Sequence, residues 1–308
     1  MREEDVSSDT VNGTRPSSSM TSESMSSFFA DAGFKVHSSE SADWYEAGAR
    51  FMLSLPSHRS VVVSEAEAKR VLRDTGAVGL RYVTDVAEGS RESYQIVAKG
   101  ADYCLENLAS NARSKIRRGL KRHELARISG EELETAGLQA FMDTLDRQDR
   151  RSRSSLESWK RLLRAADRQE AVEIWGAWHG DTLAAYLMIF LIDDVCEFYQ
   201  GRSRNDYLKH YPNNALVYYL TEEMLAKRGL REVTYGLESL EPVSSVDAFK
   251  WSMGFERKPI FQRVVFHPAV NSALRIPGAP AALRWMGSRE SAGSFWRKAR
   301  GLVDFAGY

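Results

Sequence analysis

Val195–Phe266, VCEFYQGRSRNDYLKHYPNNALVYYLTEEMLAKRGLREVTYGLESLEPVSSVDAFKWSMGFERKPIFQRVVF, reads as strand, helix, strand, short helix and strand with little between them. Val195 to Gly201 is aromatic, β-rich and closed by a glycine. A basic loop (Arg202, Arg204, Lys209, His210) leads to Pro212, and Asn213 or Asn214 can cap a helix whose stripe is Leu216, Leu220 and Met224. Lys227 and Arg228 suit its last turn and Gly229 stops it. Val233 and Tyr235 alternate in a strand that ends at Gly236. Ser244 and Asp247 have the capping-box spacing of a short helix that Gly254 closes, and Lys258–Phe266 is a last strand. Strand, helix, strand is a right-handed crossover, so the strands of Val195 and Val233 should be parallel or splayed neighbours whose ends frame a crevice.

Upstream, Ala171–Trp178, Leu183–Ile192 and Val195–Gly201 are three strands joined by His179-Gly180-Asp181 and Asp193-Asp194, which is tight-turn chemistry and implies an antiparallel meander. Leu183–Ile192 is the longest apolar run, yet it is half a membrane span and is bracketed by Asp181 and Asp193, so a buried strand is expected and no transmembrane segment. Residues 105–122 read as one helix with the apolar stripe Leu105, Leu108, Ala109, Ala112, Ile116 and Leu120. Arg113, Lys115, Arg117, Arg118, Lys121 and Arg122 cover the rest of its circumference. A face of one sign suits phosphate or another polyanion; a solvated face whose acids lie elsewhere in the fold is the alternative. Two amphipathic helices follow, Glu131–Arg147 and Leu156–Ala166, with a second basic cluster, Arg150, Arg151 and Arg153, between them.

Residues 1–27 are rich in Ser, Thr and Glu and poor in apolar side chains, which predicts a disordered tail. Residues 28–100 read as a small α/β part: a helix around Trp44–Leu53, a strand near Ser60–Val63, a helix from Ser64 to Arg73, and strands at Val78–Thr84 and Ser93–Ala98. Residues 101–267 hold the basic helix, the meander and the crossover, and 268–308 loosen into a Pro/Gly/Ala-rich arm with Trp285, Phe295 and Trp296. The 308 residues carry 42 Lys and Arg against 42 Asp and Glu, so the total charge names no partner. Two distant cysteines, Cys104 and Cys196, argue against a disulfide scaffold or a zinc site and for a reducing, cytoplasmic setting; the acidic, Ser-rich N-terminus has no signal-peptide pattern. Gly-x-Ser-x-Gly, Walker, HExxH and dinucleotide motifs do not occur, and no metal site is expected.

Two helices, a three-stranded meander, helix, strand, helix and strand resembles the order of the GNAT acyltransferase fold, and finer detail resembles its Fem-like branch, which includes peptidoglycan-bridge aminoacyltransferases and polysaccharide- or lipid-associated acyltransferases. Three segments carry the likeness: Arg113-Ser114-Lys115-Ile116-Arg117-Arg118-Gly119-Leu120, Tyr211-Pro212-Asn213-Asn214-Ala215-Leu216 and Phe249-Lys250-Trp251-Ser252-Met253-Gly254. The resemblance implies an α+β fold with a mixed, mostly antiparallel, splayed sheet flanked by helices. It also implies transfer of an acyl or aminoacyl group to an amine or hydroxyl of a sugar, peptide or lipid precursor. In Fem enzymes the lysine of the Phe-Lys pair serves substrate phosphate or the charge developing at the acyl carbon, a role that falls here on Lys250, flanked by Phe249 and Trp251. His210, Tyr199, Tyr235 and Glu238 are candidates for the proton-transfer group at the crevice. Arg113, Arg117, Arg118, Lys121, Tyr211, Asn213 and Asn214 are candidates for binding a phosphate-bearing substrate. The Gly-rich pyrophosphate loop usual before the crossover helix is replaced by Tyr211-Pro212-Asn213-Asn214, and a second complete module is not evident. Acyl-CoA and aminoacyl-tRNA therefore both stay open as donors. A non-catalytic relative that binds nucleic acid or an anionic surface through the basic helix is the rival reading.

Overall fold

The computed structural model describes residues 19–148, 153–240, 244–289 and 294–307, and packed structure is already present at Met20, ahead of Phe28. Met20 is buried and donates its amide to the Leu191 carbonyl at 2.8 Å. Thr21 then caps helix α1 (Ser22–Asp31), exchanging bonds with Ser24, and Met25, Phe28 and Phe29 sink into the core. The Ser-rich composition had hidden two apolar anchors, Met20 and Met25; residues 1–18 lie outside the described residues.

Strands β1 (Val36–Ser38), β2 (Asp43–Gly48) and β3 (Phe51–Leu55) follow, so the expected Trp44–Leu53 helix is a hairpin. Trp44, Phe51 and Leu55 are all buried at spacings of seven and four, which imitates a helical stripe. The turn was hard to read because Ala49 and Arg50, not Asn-Gly, hold the positive φ angles of 53° and 57°. Ser60–Val63 is not a strand; Val61 makes one bond, to the Val83 carbonyl. Helix α2 (Glu65–Thr75), capped by Ser64, packs Val71 and Leu72 with Trp44, Met52 and Leu80 in a second, smaller core. Strands β4 (Gly79–Thr84) and β5 (Arg91–Lys99) complete this part.

The basic helix is shorter than expected: residues 105–107 form a 3-10 turn and α3 spans Ser110–Arg122. Strand β6 (Glu124–Ile128) follows it on the sheet edge. The stretch expected as one helix over 131–147 is two, α4 (Gly130–Ala136) and α5 (Leu138–Arg147), broken at Gly137; α6 is Arg153–Ala166. The side chains of Arg150, Arg151 and Arg153 lie outside the described residues. The meander stands as β7 (Val172–His179), β8 (Thr182–Ile192) and β9 (Val195–Ser203), antiparallel throughout. Then come α7 (Pro212–Glu222), which runs into a π-helical turn at Glu223–Lys227, β10 (Glu232–Leu237), α8 (Ser244–Ser252), β11 (Glu256–Phe266), α9 (Pro268–Leu274), α10 (Ala279–Ser288) and α11 (Ser294–Phe305).

All eleven strands form one sheet in the order β1-β2-β3-β4-β11-β5-β10-β9-β8-β7-β6, and only β3/β4 and β9/β10 are parallel. The fold is thus α+β with a mostly antiparallel open sheet. The main core joins the meander to α1, α3, α6 and α7 and is dominated by β8, of which Leu183–Ile192 is buried throughout.

Candidate active site

The crevice is made by two strands that part. β9 and β10 pair only over Val195–Glu197 and Glu232–Thr234; beyond that β9 stays with β8 while β10 leans toward β5. Gly236 is what lets β10 turn away: its φ of +78° lies in the left-handed region, and its amide donates to the Thr234 hydroxyl at 2.9 Å. β9 answers with a bulge of its own, where Met188 faces Gln200 but Ile189 faces Phe198. The extra residue, Tyr199, therefore lines the same side as Phe198. The parallel pair forms because the α7 crossover returns the chain beside β9, and the two bulges open it into a wedge.

Two cavities meet at that wedge. The larger, about 1230 Å³, is walled by Phe198, Tyr199, Asn213, Phe249 and Arg147, with Arg297 and Arg300 from α11. The smaller, about 400 Å³, is walled by Ser57, Arg81, Glu197, Glu238 and Lys298. Tyr235, Ser239, Leu240 and Lys250 belong to both. Lys250 is reached from either side, with its ammonium 3.2 Å from Asp247 and 5.5 Å from the Tyr235 ring centre. Burial pushes the Tyr235 phenol well above its ordinary range, so it keeps its proton, and the same holds for Tyr199, where Glu197 adds to the effect.

Glu197 is the acid at the wedge. Its carboxylate has one hydrogen bond among the described residues, from the Ser57 hydroxyl at 3.3 Å, and burial raises its pKa from 4.5 to about 7. Close by, Arg81 is half-buried, and the loss of solvent around its guanidinium lowers its pKa to about 10; it donates to Gln262 at 2.7 Å and to the Glu238 carbonyl at 2.9 Å. Ser93 donates to the Glu238 carboxylate at 2.7 Å and accepts from Gln262 at 2.7 Å, so the far wall of the smaller cavity is a fixed polar network. On the larger cavity Arg147 holds the Ser203 carbonyl at 3.0 Å and its hydroxyl at 3.1 Å, and Asn213 reaches the same hydroxyl at 3.2 Å from the start of α7.

Of the residues singled out from sequence, Lys250, Tyr199, Tyr235, Asn213, Glu238 and Phe249 come together around the wedge. The others stand elsewhere. His210 stacks on His179 with ring centres 5.7 Å apart and lies 3.1 Å from an Arg122 nitrogen, outside both cavities. Tyr211 caps α7 from a left-handed conformation under the Arg118 guanidinium, and Asn214 is buried against the Met253 sulfur. Trp251 packs beside Tyr94 and Arg257. Arg113, Arg117 and Lys121 follow the outer side of α3, away from the cavities, with Arg113 bonded to the Glu106 and Leu108 carbonyls. Among the described residues no carboxylate pairs with the cations of α3.

The sequence reading passed over Glu197, Arg81, Arg147 and the three cations of α11. Glu197 had a signal, since it is the lone acid in an otherwise apolar and aromatic strand, where an acid is seldom buried without cause. The cations of α11 had none, because nothing local tells that a C-terminal helix folds back over residue 240. Among the described residues no three His, Cys, Asp or Glu side chains are placed to hold a metal ion, and no helix is long and apolar enough to cross a membrane.

The comparisons agree with this fold. Residues 107–242 match the Acetyltransferase (GNAT) domain. No curated protein matches the sequence. Among solved structures the chain is similar to FemX (12% identity, 81% of this chain and 92% of that one, TM-score 0.55). It is similar to the C-terminal domain of a putative lysylphosphatidylglycerol synthetase from Agrobacterium fabrum (12%, 80% and 88%, TM-score 0.54). It is also similar to L-PGS from Bacillus licheniformis (13%, 79% and 87%, TM-score 0.51). The chain thus carries an Acetyltransferase (GNAT) domain over residues 107–242, within a fold shared with FemX.

Proposed function

We propose that the chain transfers an acyl or aminoacyl group to an amine or hydroxyl of a sugar, peptide or lipid precursor, with donor in the larger cavity and acceptor in the smaller. The observation that carries this reading is Glu197: a carboxyl at the parting of β9 and β10 with a pKa of about 7, facing the smaller cavity. A base poised near neutral pH takes the proton of an ammonium before it attacks, or that of a hydroxyl as it attacks. The acceptor nitrogen or oxygen bonds to the donor carbonyl carbon, the carbonyl electrons move to oxygen, and the ammonium of Lys250 stabilises the oxyanion from its place on both cavities. Collapse breaks the bond to the leaving group, to which the still-protonated Tyr235 can give its proton. Phe249 holds the start of that side of the crevice, and Glu238 helps to shape the acceptor end.

Arg147, Arg297 and Arg300 suit a phosphate-bearing donor, and Asn213 stands at a helix N-terminus, where anions are favoured. Both acyl-CoA and aminoacyl-tRNA answer that description. The one-sign face of α3, outside the cavities, favours the longer polyanion, with Arg113, Arg117, Arg118 and Lys121 along its track. The name of one similar structure, a putative lysylphosphatidylglycerol synthetase, is in keeping with an aminoacyl group as the one transferred. Cys104 and Cys196 are free thiols, in keeping with a cytoplasmic setting.

A thermal-shift panel of CoA, acyl-CoAs and aminoacyl-tRNA identifies the donor; a ligand at a hundred times its Kd adds about 2.7 kcal/mol of stability. With a donor and acceptor in hand, turnover of the unsubstituted chain should rise with pH and inflect near 7. Glu197→Gln should lower it by about 10²–10⁴ and remove the inflection. An inflection that persists in the Gln chain would assign the base elsewhere.

A further inference from the structure

The arm that follows the GNAT domain has an outer face whose chemistry the proposed acyl transfer does not use. Residues 268–308 hold six Lys and Arg against two Asp and Glu, in a chain whose charges balance overall. Ile276, Trp285, Phe295 and Trp296 are 60, 61, 44 and 40% exposed, so this arm holds the only strongly exposed tryptophans among the described residues. Arg275 and Arg289 are exposed beside them, and the Arg289 guanidinium lies 4.7 Å from the Trp285 ring centre. Between α9 and α10 runs a groove of about 500 Å³ walled by apolar side chains alone, among them Val270, Leu274, Leu283 and Met286. Exposed apolar surface of this kind on a soluble helix is unusual unless something covers it.

The inner side of the same arm is docked. Leu302 and Val303 are buried, and Arg91 donates to the carbonyls of Asp304 and Phe305 at 2.7 Å each. Arg297 and Arg300 reach the larger cavity, and Lys298 and Leu302 the smaller. Cations and a buried seam therefore face inward, while tryptophan, phenylalanine and arginine face outward.

We infer that the outer face of α9–α11 binds an anionic lipid surface. Tryptophan and arginine together favour the boundary between headgroups and acyl chains, where a ring has an apolar body and a polar edge and a guanidinium meets phosphate. Arg275 and Arg289, exposed on that face, are complementary to anionic headgroups. A nucleic acid would also meet arginine and stack on tryptophan, but the groove of Val, Leu and Met offers nothing to a base or phosphate and suits an acyl chain. The inference rests on the surface and not on which residue is the base, so failure of the Glu197 test leaves it standing.

The test is co-sedimentation of the full chain with vesicles of phosphatidylcholine alone and of phosphatidylcholine with 30–40% phosphatidylglycerol (~, a composition that gives a strongly negative surface). Binding to the anionic vesicles is expected, weakening as salt rises, with little binding to the neutral ones. Trp285→Ser with Trp296→Ser should lower partition onto anionic vesicles by about tenfold or more, without change in the melting temperature, since both rings are exposed. Arg275→Gln with Arg289→Gln should lower it by about tenfold and leave residual binding to neutral vesicles as it was. Failure to bind anionic vesicles at low salt overturns the inference. So does binding by both double variants as strong as that of the unsubstituted chain, preferential capture of RNA over vesicles that the tryptophan pair abolishes, or a concentration-dependent dimer lost with the same pair.

Discussion

Glu197 and Lys250 pose opposite problems at one wedge. A carboxylate wants water or donors, and Glu197 has one hydroxyl partner among the described residues, so burial leaves it near neutrality. Its stability consequence has a definite sign. With a pKa of about 7 in the folded chain against 4.5 otherwise, the folded state binds more protons between those values, and stability falls as pH rises through that window. Glu197→Gln should flatten this part of the profile, so urea titrations at pH 5 and pH 8 should differ less in the variant; an unchanged difference would show that the carboxyl is not strained. Lys250 is the reverse case, an ammonium steadied by Asp247 at 3.2 Å and left with further donors toward the cavities. Lys250→Met keeps the stem and the helix, so folding should persist while turnover drops by about a hundredfold. Lys250→Arg should restore only part of it, because a planar fork does not occupy the place of a compact ammonium. Full turnover in the Met chain would return Phe249 and Lys250 to a packing role.

Elements were legible wherever period and punctuation agreed. β7, β8 and β9 show long apolar or aromatic runs closed by Gly180 and Asp193, and all three stand where the reading put them. The Trp44–Leu53 stretch failed because a hairpin with Ala49 and Arg50 at its turn leaves buried residues at helix-like intervals. α1 was missed because composition was averaged over residues 1–27, which hid Met20 and Met25. The wedge itself was legible as strand, helix, strand; the bulges at Tyr199 and Gly236 that open it were not, since each depends on the neighbouring strand's register. The end of the crossover has its own device. Arg228, just after the π-helical turn, donates to both oxygens of Glu173 at 2.7 and 3.3 Å and to Glu223 at 3.3 Å, and Trp175 donates to Glu173 at 2.8 Å. The Glu173 side chain is only 5% exposed, so Arg228→Ala leaves a buried carboxylate without its main partner. A loss of about 3 kcal/mol in chemical denaturation is expected. A loss below about 0.5 kcal/mol would mean that the pair merely breaks even, as exposed pairs do.

At the scale of the whole molecule, one sheet carries segments that the chain visits far apart. β5 lies between β10 and β11, Met20 is bonded to the end of β8, and α11 closes the cavities beside residue 240. The smaller cavity accordingly draws Ser57 and Arg81 from the N-terminal part, Glu197 and Tyr235 from the GNAT domain, and Lys298 and Leu302 from the arm. This arrangement makes the arm a wall of the site as well as a candidate lipid-facing surface, and the two roles separate in a deletion. Removing residues 268–308 leaves every strand and the β9/β10 wedge in place but takes Arg297, Arg300 and Lys298 from the cavity walls and uncovers Arg81 and Arg91 beneath Phe305. The shortened chain should fold, melt a few degrees lower, and use a phosphate-bearing donor with KM raised about tenfold or more, since one charge-assisted contact is worth about 1.5–3 kcal/mol. Its kcat should change less, because Glu197, Tyr235 and Lys250 are retained. Steady-state kinetics separate the two parameters: an unchanged KM would show that the α11 cations line the cavity without holding substrate, and a collapse of kcat alone would place the arm's contribution in closing the wedge to water.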